Sequence, residues 1–115
     1  MSDIHILNIL TEIIHSRKDE PADQSYTAQL FQKGVKKTGK KVGEEATEVV
    51  IAALVEDKAA LIGEIADLIY HLNVLMAQKD VSWKDIASKL EERLNISGLE
   101  EKAARKSHKK AGENK

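Results

Sequence analysis

The sequence of 115 residues predicts an all-α protein, and three observations lead to that prediction. Aromatic residues make up only 3% of the chain, which also has one Pro and six Gly. Ala, Leu, Ile, Glu and Lys are abundant, a composition that favours helices and gives a sheet little to pack with. Apolar residues, 42% of the chain, recur every three or four positions, the spacing of one helical face. We expect one helical domain over residues 1–96 and a polar, mobile tail over residues 97–115.

The first two predicted helices lie before the middle of the chain. Apolar residues at helical spacing predict a helix over residues 3–18. A polar loop follows, because the stretch SRKDEPADQSYT contains Pro21 and other residues that interrupt a helical pattern. Ser25 or Thr27 is expected to cap a short helix over residues 28–34.

Two long helices are predicted next, over residues 35–56 and 58–79. The first of them is expected to be either one continuous long helix or a helix with an irregular start near Gly39 and Gly43. Asp57 is a suitable cap for the second. Because the junction between the two helices is so short, we expect them to form a central antiparallel hairpin.

The last predicted helix covers residues 83–94. Ser82 and, three residues later, Asp85 form the pattern of a capping box at its start. Trp83 is expected to be an anchor in the core or in a dimer rather than a platform for a base. The tail beyond this helix is basic but has no aromatic residue, so we expect it to aid solubility and not to bind nucleic acid.

Composition excludes several classes of protein. The net charge of −1 argues against a general polyanion binder, and the absence of Cys excludes disulfides, thiolate zinc sites and a cysteine nucleophile. No secretory signal is recognisable at the N-terminus and acidic residues interrupt the most apolar stretch, so we expect a cytoplasmic protein without a membrane partner. A helical domain this small, with apolar residues on more than one face, is expected to complete its core as a homodimer.

Acidic residues on the two hairpin helices form the candidate site. Helical geometry places the carboxylates of each helix on one side of it, with His71 continuing the line of the second helix. The five carboxylates are Glu44, Glu45, Glu48, Glu64 and Asp67. Ile51, Ala52 and Val55 continue the acidic stripe of the first helix with apolar side chains that belong in an interior. The second helix has a predicted core face beside its acidic line, formed by Leu61, Ile65, Leu68, Leu72 and Leu75.

Carboxylates that interrupt apolar surface repel one another and lose hydration, so a positive group is expected to bind them. Lys37, Lys40 and Lys41 are one possible source of this positive charge, but a divalent cation accounts better for a group of five acids. Oxygen ligands without Cys suit Mg²⁺, with Mn²⁺ as a substitute. A di-iron centre of the ferritin type requires Glu-x-x-His, whereas the chain has Glu45-x-x-Glu48 and Glu64-x-x-Asp67, so redox iron is not expected.

The segments KKVGEEATEVVIAAL and EIADLIYHLNVLM resemble phosphoribosyl-ATP pyrophosphohydrolases and the wider group of MazG-like nucleotide pyrophosphohydrolases. The acidic pattern of that family, Glu-Glu-x-x-Glu followed by Glu-x-x-Asp, is met at every position, and SYTAQLFQKG is also similar. The resemblance covers residues 4–94 and implies a MazG-like helical bundle. It also implies Mg²⁺-dependent hydrolysis of the α–β phosphoanhydride of phosphoribosyl-ATP to phosphoribosyl-AMP and pyrophosphate, the second step of histidine biosynthesis.

The resemblance implies roles for the site residues. The metal ligands are expected to be Glu45, Glu48, Glu64 and Asp67. Glu44 is either a further ligand or the general base, which makes Glu44, Glu45 and Glu48 the candidate catalytic residues. The candidate substrate-binding residues are Lys33, Lys37, Lys40, Lys41, Ser25, Tyr26 and His71, although His71 is equally well explained as an interior histidine with satisfied hydrogen bonds. Two alternatives remain: a MazG-like pyrophosphatase that removes free nucleoside triphosphates, and a non-catalytic helical adaptor.

Overall fold

In the computed structural model, which describes residues 5–94, every regular element of that range is a helix. This confirms the all-α prediction, while the predicted tail over residues 97–115 lies outside the described residues. The helices are α1 (Ile6–Arg17), α2 (Tyr26–Lys33), α3 (Val35–Val55), α4 (Lys58–Gln78) and α5 (residues 83–94). Contacts divide the chain after Val81 into two compact units, which are described separately.

Helix α2 begins two residues earlier than predicted, because Ser25 caps it. The Ser25 hydroxyl accepts a hydrogen bond from the backbone N–H of Ala28 at 3.1 Å, which identifies Ser25 rather than Thr27 as the cap. The helix ends at Gly34, whose φ of 93° lies in the region that favours glycine. This single residue redirects the chain into α3.

Helices α3 and α4 form the predicted hairpin. Helix α3 runs without interruption from Val35 to Val55, which confirms the continuous long helix and excludes the alternative of an irregular start near Gly39 and Gly43. The cost of two glycines, about 1 kcal/mol each in a helix interior, is outweighed by packing along the helix. The Asp57 side chain accepts a hydrogen bond from the N–H of Ala60 at 2.9 Å and caps α4 as predicted.

The core of the first unit is centred on Ile14, Leu30 and Val74, which come from α1, α2 and α4. This differs from the core face predicted for α4, since Val74 is fully buried whereas Ile65 is 39% exposed. The physical reason is that α1 and α2 pack against the side of α4 that carries Val74. They leave the predicted face only partly covered.

The hairpin also exposes large apolar side chains. Leu54 and Val55, near the end of α3, are 77% and 75% exposed, and Val50 and Ile62 are more than half exposed. The expectation that Val55 lies in an interior is therefore wrong within this chain, although the adjacent Ala52 is buried.

Helix α4 is long and apolar enough, by length and composition alone, to cross a membrane, with a mean hydropathy of 1.4 over 18 residues. Core helices of soluble proteins pass the same test. Only 22% of that window is buried inside the chain, and the helix carries Glu64 and Asp67, which would be costly to place in lipid. The helix is therefore an apolar element with a large uncovered surface.

The second unit begins with the predicted capping box. The backbone N–H of Ser82 donates to the Asp85 carboxylate at 2.9 Å, and the N–H of Asp85 donates to the Ser82 hydroxyl at 3.1 Å. The hydrogen bonds that the Asp85 carboxylate accepts from the backbone and the side chain of Ser82 hold the pKa of Asp85 below its ordinary value. Helix α5 follows directly and reaches the end of the described residues.

Candidate active site

Three of the predicted carboxylates converge between α3 and α4. Glu45 projects from α3, while Glu64 and Asp67 lie one turn apart on α4. One oxygen from each carboxylate lies within 4.8 Å of the others. Glu45 and Glu64 are half-buried and Asp67 is exposed. The hairpin thus brings together acids that are distant in the sequence and creates a compact set of oxygen donors.

Glu48 lies outside this group of three but acts on it electrostatically. The pKa of Glu64 is raised above its ordinary value, first by partial desolvation and then by the negative charge of Glu48. Asp67 and Glu45 contribute in the same direction. The negative charges of Glu45, Glu48 and Asp67 therefore all act in the same direction on the pKa of Glu64, as expected where carboxylates crowd one another.

Glu44 occupies a different position. Its side chain is half exposed, whereas that of Glu45 is only 15% exposed. The Nζ atom of Lys41 lies 3.5 Å from a Glu44 oxygen and 3.8 Å from a Glu45 oxygen. Lys41 therefore compensates part of the acidic charge, and Glu44 lies on the lysine side of the group rather than among the three converging carboxylates.

The predicted residues Tyr26 and His71 contact each other beside the acids. The His71 Nδ1 atom lies 2.8 Å from the backbone carbonyl of Asp67 and must donate, because a carbonyl only accepts. Nε2 of the neutral ring therefore accepts from the Tyr26 hydroxyl, at 2.9 Å. His71 is buried and both of its ring nitrogens are engaged, so it matches the interpretation as a satisfied interior histidine. Its partner is the main chain of Asp67 and not the carboxylate.

Tyr26 is also close to the charged groups of α3. Burial raises its pKa above the ordinary value of tyrosine, Lys41 lowers it, and Tyr70, Glu45 and Glu44 raise it again. In return, the electrostatic effect of Tyr26 is the largest cause of the raised pKa of Lys41. Tyr26 is 45% exposed, so its ring borders the acidic group and remains open to a ligand.

Two polar residues lie behind this pair: Thr27, which the sequence offered as a cap, and Tyr70, which sequence reasoning missed. The hydroxyls of Thr27 and Tyr70 lie 2.5 Å apart, and the rings of Tyr70 and His71 meet edge to face with centroids 5.0 Å apart. Both residues stand next to predicted ones, at Tyr26 and His71, but nothing in the local pattern shows that they meet across the fold. They hold the Tyr26–His71 pair in place from behind.

The predicted lysines do not form a single cluster. Lys33, Lys37 and Lys40 line a cavity of about 330 Å³ together with Lys36, which was not predicted. Lys41, by contrast, pairs with the acids. The spacing of the four cavity lysines, on both sides of the α2–α3 junction, was the signal that could have identified Lys36.

Ser25 is buried and its hydroxyl is engaged in capping α2. It therefore positions the neighbouring Tyr26 at the start of the helix. A direct contact between Ser25 and a substrate stays a prediction.

Comparisons with known proteins agree on one family. The family model described as phosphoribosyl-ATP pyrophosphohydrolase matches residues 7–94. A protein of Trichlorobacter lovleyi named phosphoribosyl-ATP pyrophosphatase is 52% identical over 105 residues, which are 91% of this chain and 97% of that protein. A protein of the same name from Clostridium botulinum is 50% identical over 93 residues, covering 81% of this chain and 84% of its own length.

A longer relative shows the same segment in another context. The histidine biosynthesis bifunctional protein HisIE of Pasteurella multocida is 52% identical over 87 residues. These residues are 76% of this chain but only 43% of that protein. All of the converging carboxylates lie within the range that the family model matches.

Proposed function

The chain belongs to the phosphoribosyl-ATP pyrophosphohydrolase family, and on that premise we propose that it hydrolyses the α–β phosphoanhydride of phosphoribosyl-ATP. The products are phosphoribosyl-AMP and pyrophosphate, and the reaction is the second step of histidine biosynthesis. The observation that carries the proposal is the convergence of Glu45, Glu64 and Asp67 within 4.8 Å of one another inside the matched region.

The donor set fits Mg²⁺. Carboxylate oxygens are the ligands that hard divalent cations prefer, and desolvation together with the neighbouring carboxylates raises the pKa of Glu64. The residues that would hold the ion are Glu45, Glu48, Glu64 and Asp67, and Mn²⁺ is the expected substitute. A bound Mg²⁺ would neutralise phosphate charge and lower the pKa of a coordinated water.

Glu44 is assigned the role of general base. It lies outside the group of three converging carboxylates, is half exposed and is held by Lys41 at 3.5 Å. Because Glu44 would not be needed as a metal ligand, its carboxylate would be available to take the proton of the attacking water. Glu45 and Glu48 support catalysis by holding the cation, and Lys41 positions both Glu44 and Glu45.

The substrate-binding surface extends from the acids towards α2. Lys41 offers an ammonium group beside the carboxylates that is suited to phosphate oxygens. The Tyr26 hydroxyl donates its hydrogen bond to His71, which fixes its direction and leaves its oxygen to accept a hydrogen bond from a hydroxyl or amino group of the substrate. Lys33, Lys37 and Lys40 contribute positive charge at the other end of this surface.

The active form is a homodimer, and the reaction takes place in the cytoplasm. The exposed apolar side chains of the hairpin, above all Leu54 and Val55, support an interface with a second copy. An apolar groove of about 280 Å³ between α1 and α4, which includes Ala66, is a second uncovered apolar surface.

A substrate panel tests the proposal. The purified chain is assayed for pyrophosphate release from phosphoribosyl-ATP, dCTP, dUTP and ATP, with Mg²⁺ or with EDTA. We expect rapid turnover of phosphoribosyl-ATP with Mg²⁺ and none with EDTA. Glu48→Gln should abolish turnover, whereas Glu12→Gln, a change of the same kind on the exposed surface of α1, should not.

Two results would contradict the proposal. Rapid turnover of dCTP or dUTP without turnover of phosphoribosyl-ATP would identify a pyrophosphatase that removes free nucleotides. No turnover of any nucleotide, together with a melting temperature that does not respond to Mg²⁺, would favour a non-catalytic adaptor.

A further inference from the structure

Four lysines surround a cavity at the junction of α2 and α3. Lys33 comes from the end of α2, and Lys36, Lys37 and Lys40 come from the first two turns of α3. They line a cavity of about 330 Å³ and are all exposed. Within residues 5–94, none of the four forms an ion pair, since the lysines that do so there are Lys41 and Lys89.

The start of α3 lies at the same junction. Helix α3 has no acidic residue in its first turn and no side chain that caps it. The positive end of its dipole lies beside the negative end of α2, which ends at Lys33, so the net positive charge of the junction comes from the four lysines. Unpaired ammonium groups held around a concave surface repel one another, and an anion with several oxygens would relieve that repulsion.

The cavity lies at a defined distance from the acidic group. Lys37 and Glu45 are on the same uninterrupted helix, separated by about 12 Å along its axis and about 80° around it. Lys41 lies between them and is already paired with the acids. Helix α3 therefore carries an acidic region and, about two turns before it, a separate and purely basic one.

We infer that the four-lysine cavity binds the second phosphate-bearing end of the substrate and so determines substrate selectivity. The inference rests on the proposed function. Phosphoribosyl-ATP has two riboses attached to its adenine base. One ribose carries the triphosphate, and the other carries a single phosphate. A dianionic phosphate that carries no metal is repelled by the acids, whereas lysines bind it as point charges. A free nucleoside triphosphate lacks this second phosphate and gains nothing from the cavity.

The test compares two double variants that remove the same charge. Lys37→Ala/Lys40→Ala changes the cavity, and Lys79→Ala/Lys84→Ala changes two exposed lysines elsewhere. Thermal melting checks that both variants fold. We expect kcat/KM for phosphoribosyl-ATP to fall by about 10- to 100-fold in the cavity variant, mostly through KM, as for the loss of charged hydrogen bonds. The control variant should stay within about twofold of the wild type.

The inhibition constant of ATP, measured with phosphoribosyl-ATP as the substrate, separates the two phosphate ends. In the cavity variant it should change far less than KM for phosphoribosyl-ATP. An equal change in both constants would assign the lysines to the triphosphate and overturn the inference.

A binding measurement gives a second, independent readout. Ribose 5-phosphate is titrated without Mg²⁺ into the full ¹⁵N-labelled chain. Saturable shifts of backbone amides in residues 33–40 that disappear in the cavity variant would support the inference. Their absence, or shifts centred on the acidic residues, would overturn it.

An error in the proposed function and an error in the assignment of the cavity give different experimental results. If the wild-type chain does not hydrolyse phosphoribosyl-ATP, the proposed function is wrong. If it does and both double variants have the same KM, only the assignment of the cavity is wrong.

Discussion

The Tyr26 hydroxyl donates a hydrogen bond of 2.9 Å to Nε2 of His71, across 45 positions of the sequence. The contact joins the first residue of α2 to the middle of α4, next to the acidic residues. The other ring nitrogen of His71 is held by the carbonyl of Asp67 at 2.8 Å. The position of Tyr26 is therefore tied to the helical turn that presents the Asp67 carboxylate.

Tyr26→Phe should weaken both stability and substrate binding. It leaves the buried Nε2 of His71 without its donor, and we expect the free energy of unfolding in urea to fall by about 1 kcal/mol. NMR should still show the proton on Nδ1, since the carbonyl of Asp67 holds it, while KM for phosphoribosyl-ATP rises. Ser16→Ala removes an exposed hydrogen bond and serves as the control, with little effect. Equal stability of the two variants would contradict the proposed importance of the Tyr26–His71 bond.

Glu64→Gln should have opposite effects with and without metal. Without metal, it removes a negative charge crowded by Glu48, Asp67 and Glu45, so the melting temperature should rise. With Mg²⁺, the wild type should gain stability and the variant should gain much less, because a ligand is lost. Differential scanning calorimetry with and without Mg²⁺ measures both effects.

The control for this prediction is Glu12→Gln, on the exposed surface of α1. It should keep the full response to Mg²⁺ and the melting temperature of the wild type. If Glu64→Gln responded to Mg²⁺ as strongly as this control, Glu64 would not be a ligand.

Leu54→Glu should dissociate the dimer. Leu54 is 77% exposed in the single chain, and a charge at this position would have to be buried in an interface with a second copy. Light scattering after size-exclusion chromatography should give twice the chain mass for the wild type and for Leu54→Met, which keeps the apolar character. Leu54→Glu should elute at the mass of one chain. A wild-type protein that is already monomeric at micromolar concentration would refute the proposed dimer.

Helix α5 should lose stability in acid. Hydrogen bonds from Ser82 depress the pKa of Asp85 in the folded state. A depressed pKa means that the contribution is fully present above the ordinary pKa of an aspartate and is lost as the pH falls through the folded value. Amide exchange of residues 83–94 should therefore become faster, relative to the intrinsic rate, as the solution is acidified. Asp85→Asn should remove most of this pH dependence, and an unchanged profile would contradict it.

Local signals in the sequence predicted the starts of α4 and α5 well. Asp57, and the pair Ser82 and Asp85, cap helices through atoms three residues apart, so the pattern and the contact lie in the same short segment. The convergence of Glu45 with Glu64 and Asp67 was also predictable, because a short connection forces the two helices together. These features depend on local geometry and one tight turn.

Features that depend on packing were not predictable. Periodicity alone could not show that α1 and α2 cover Val74 and leave Ile65 partly exposed. Nor could it show that Lys41 joins the acids while Lys37 and Lys40 line a separate cavity. Each of these outcomes is decided by which neighbouring helix occupies the space, and a single sequence does not contain that information in a local form.

The positive φ of Gly34 sets the direction of the whole of α2 relative to α3. Helix α2 has eight residues and is therefore about 12 Å long, with Gly34 at one end and Tyr26 at the other. A rotation of about 10° at Gly34 would displace Tyr26 by roughly 2 Å. A shift of even about 1 Å in a positioning group can cost about a hundredfold in rate. The position of the Tyr26 hydroxyl beside the acidic residues thus depends on one torsion angle at the opposite end of the helix.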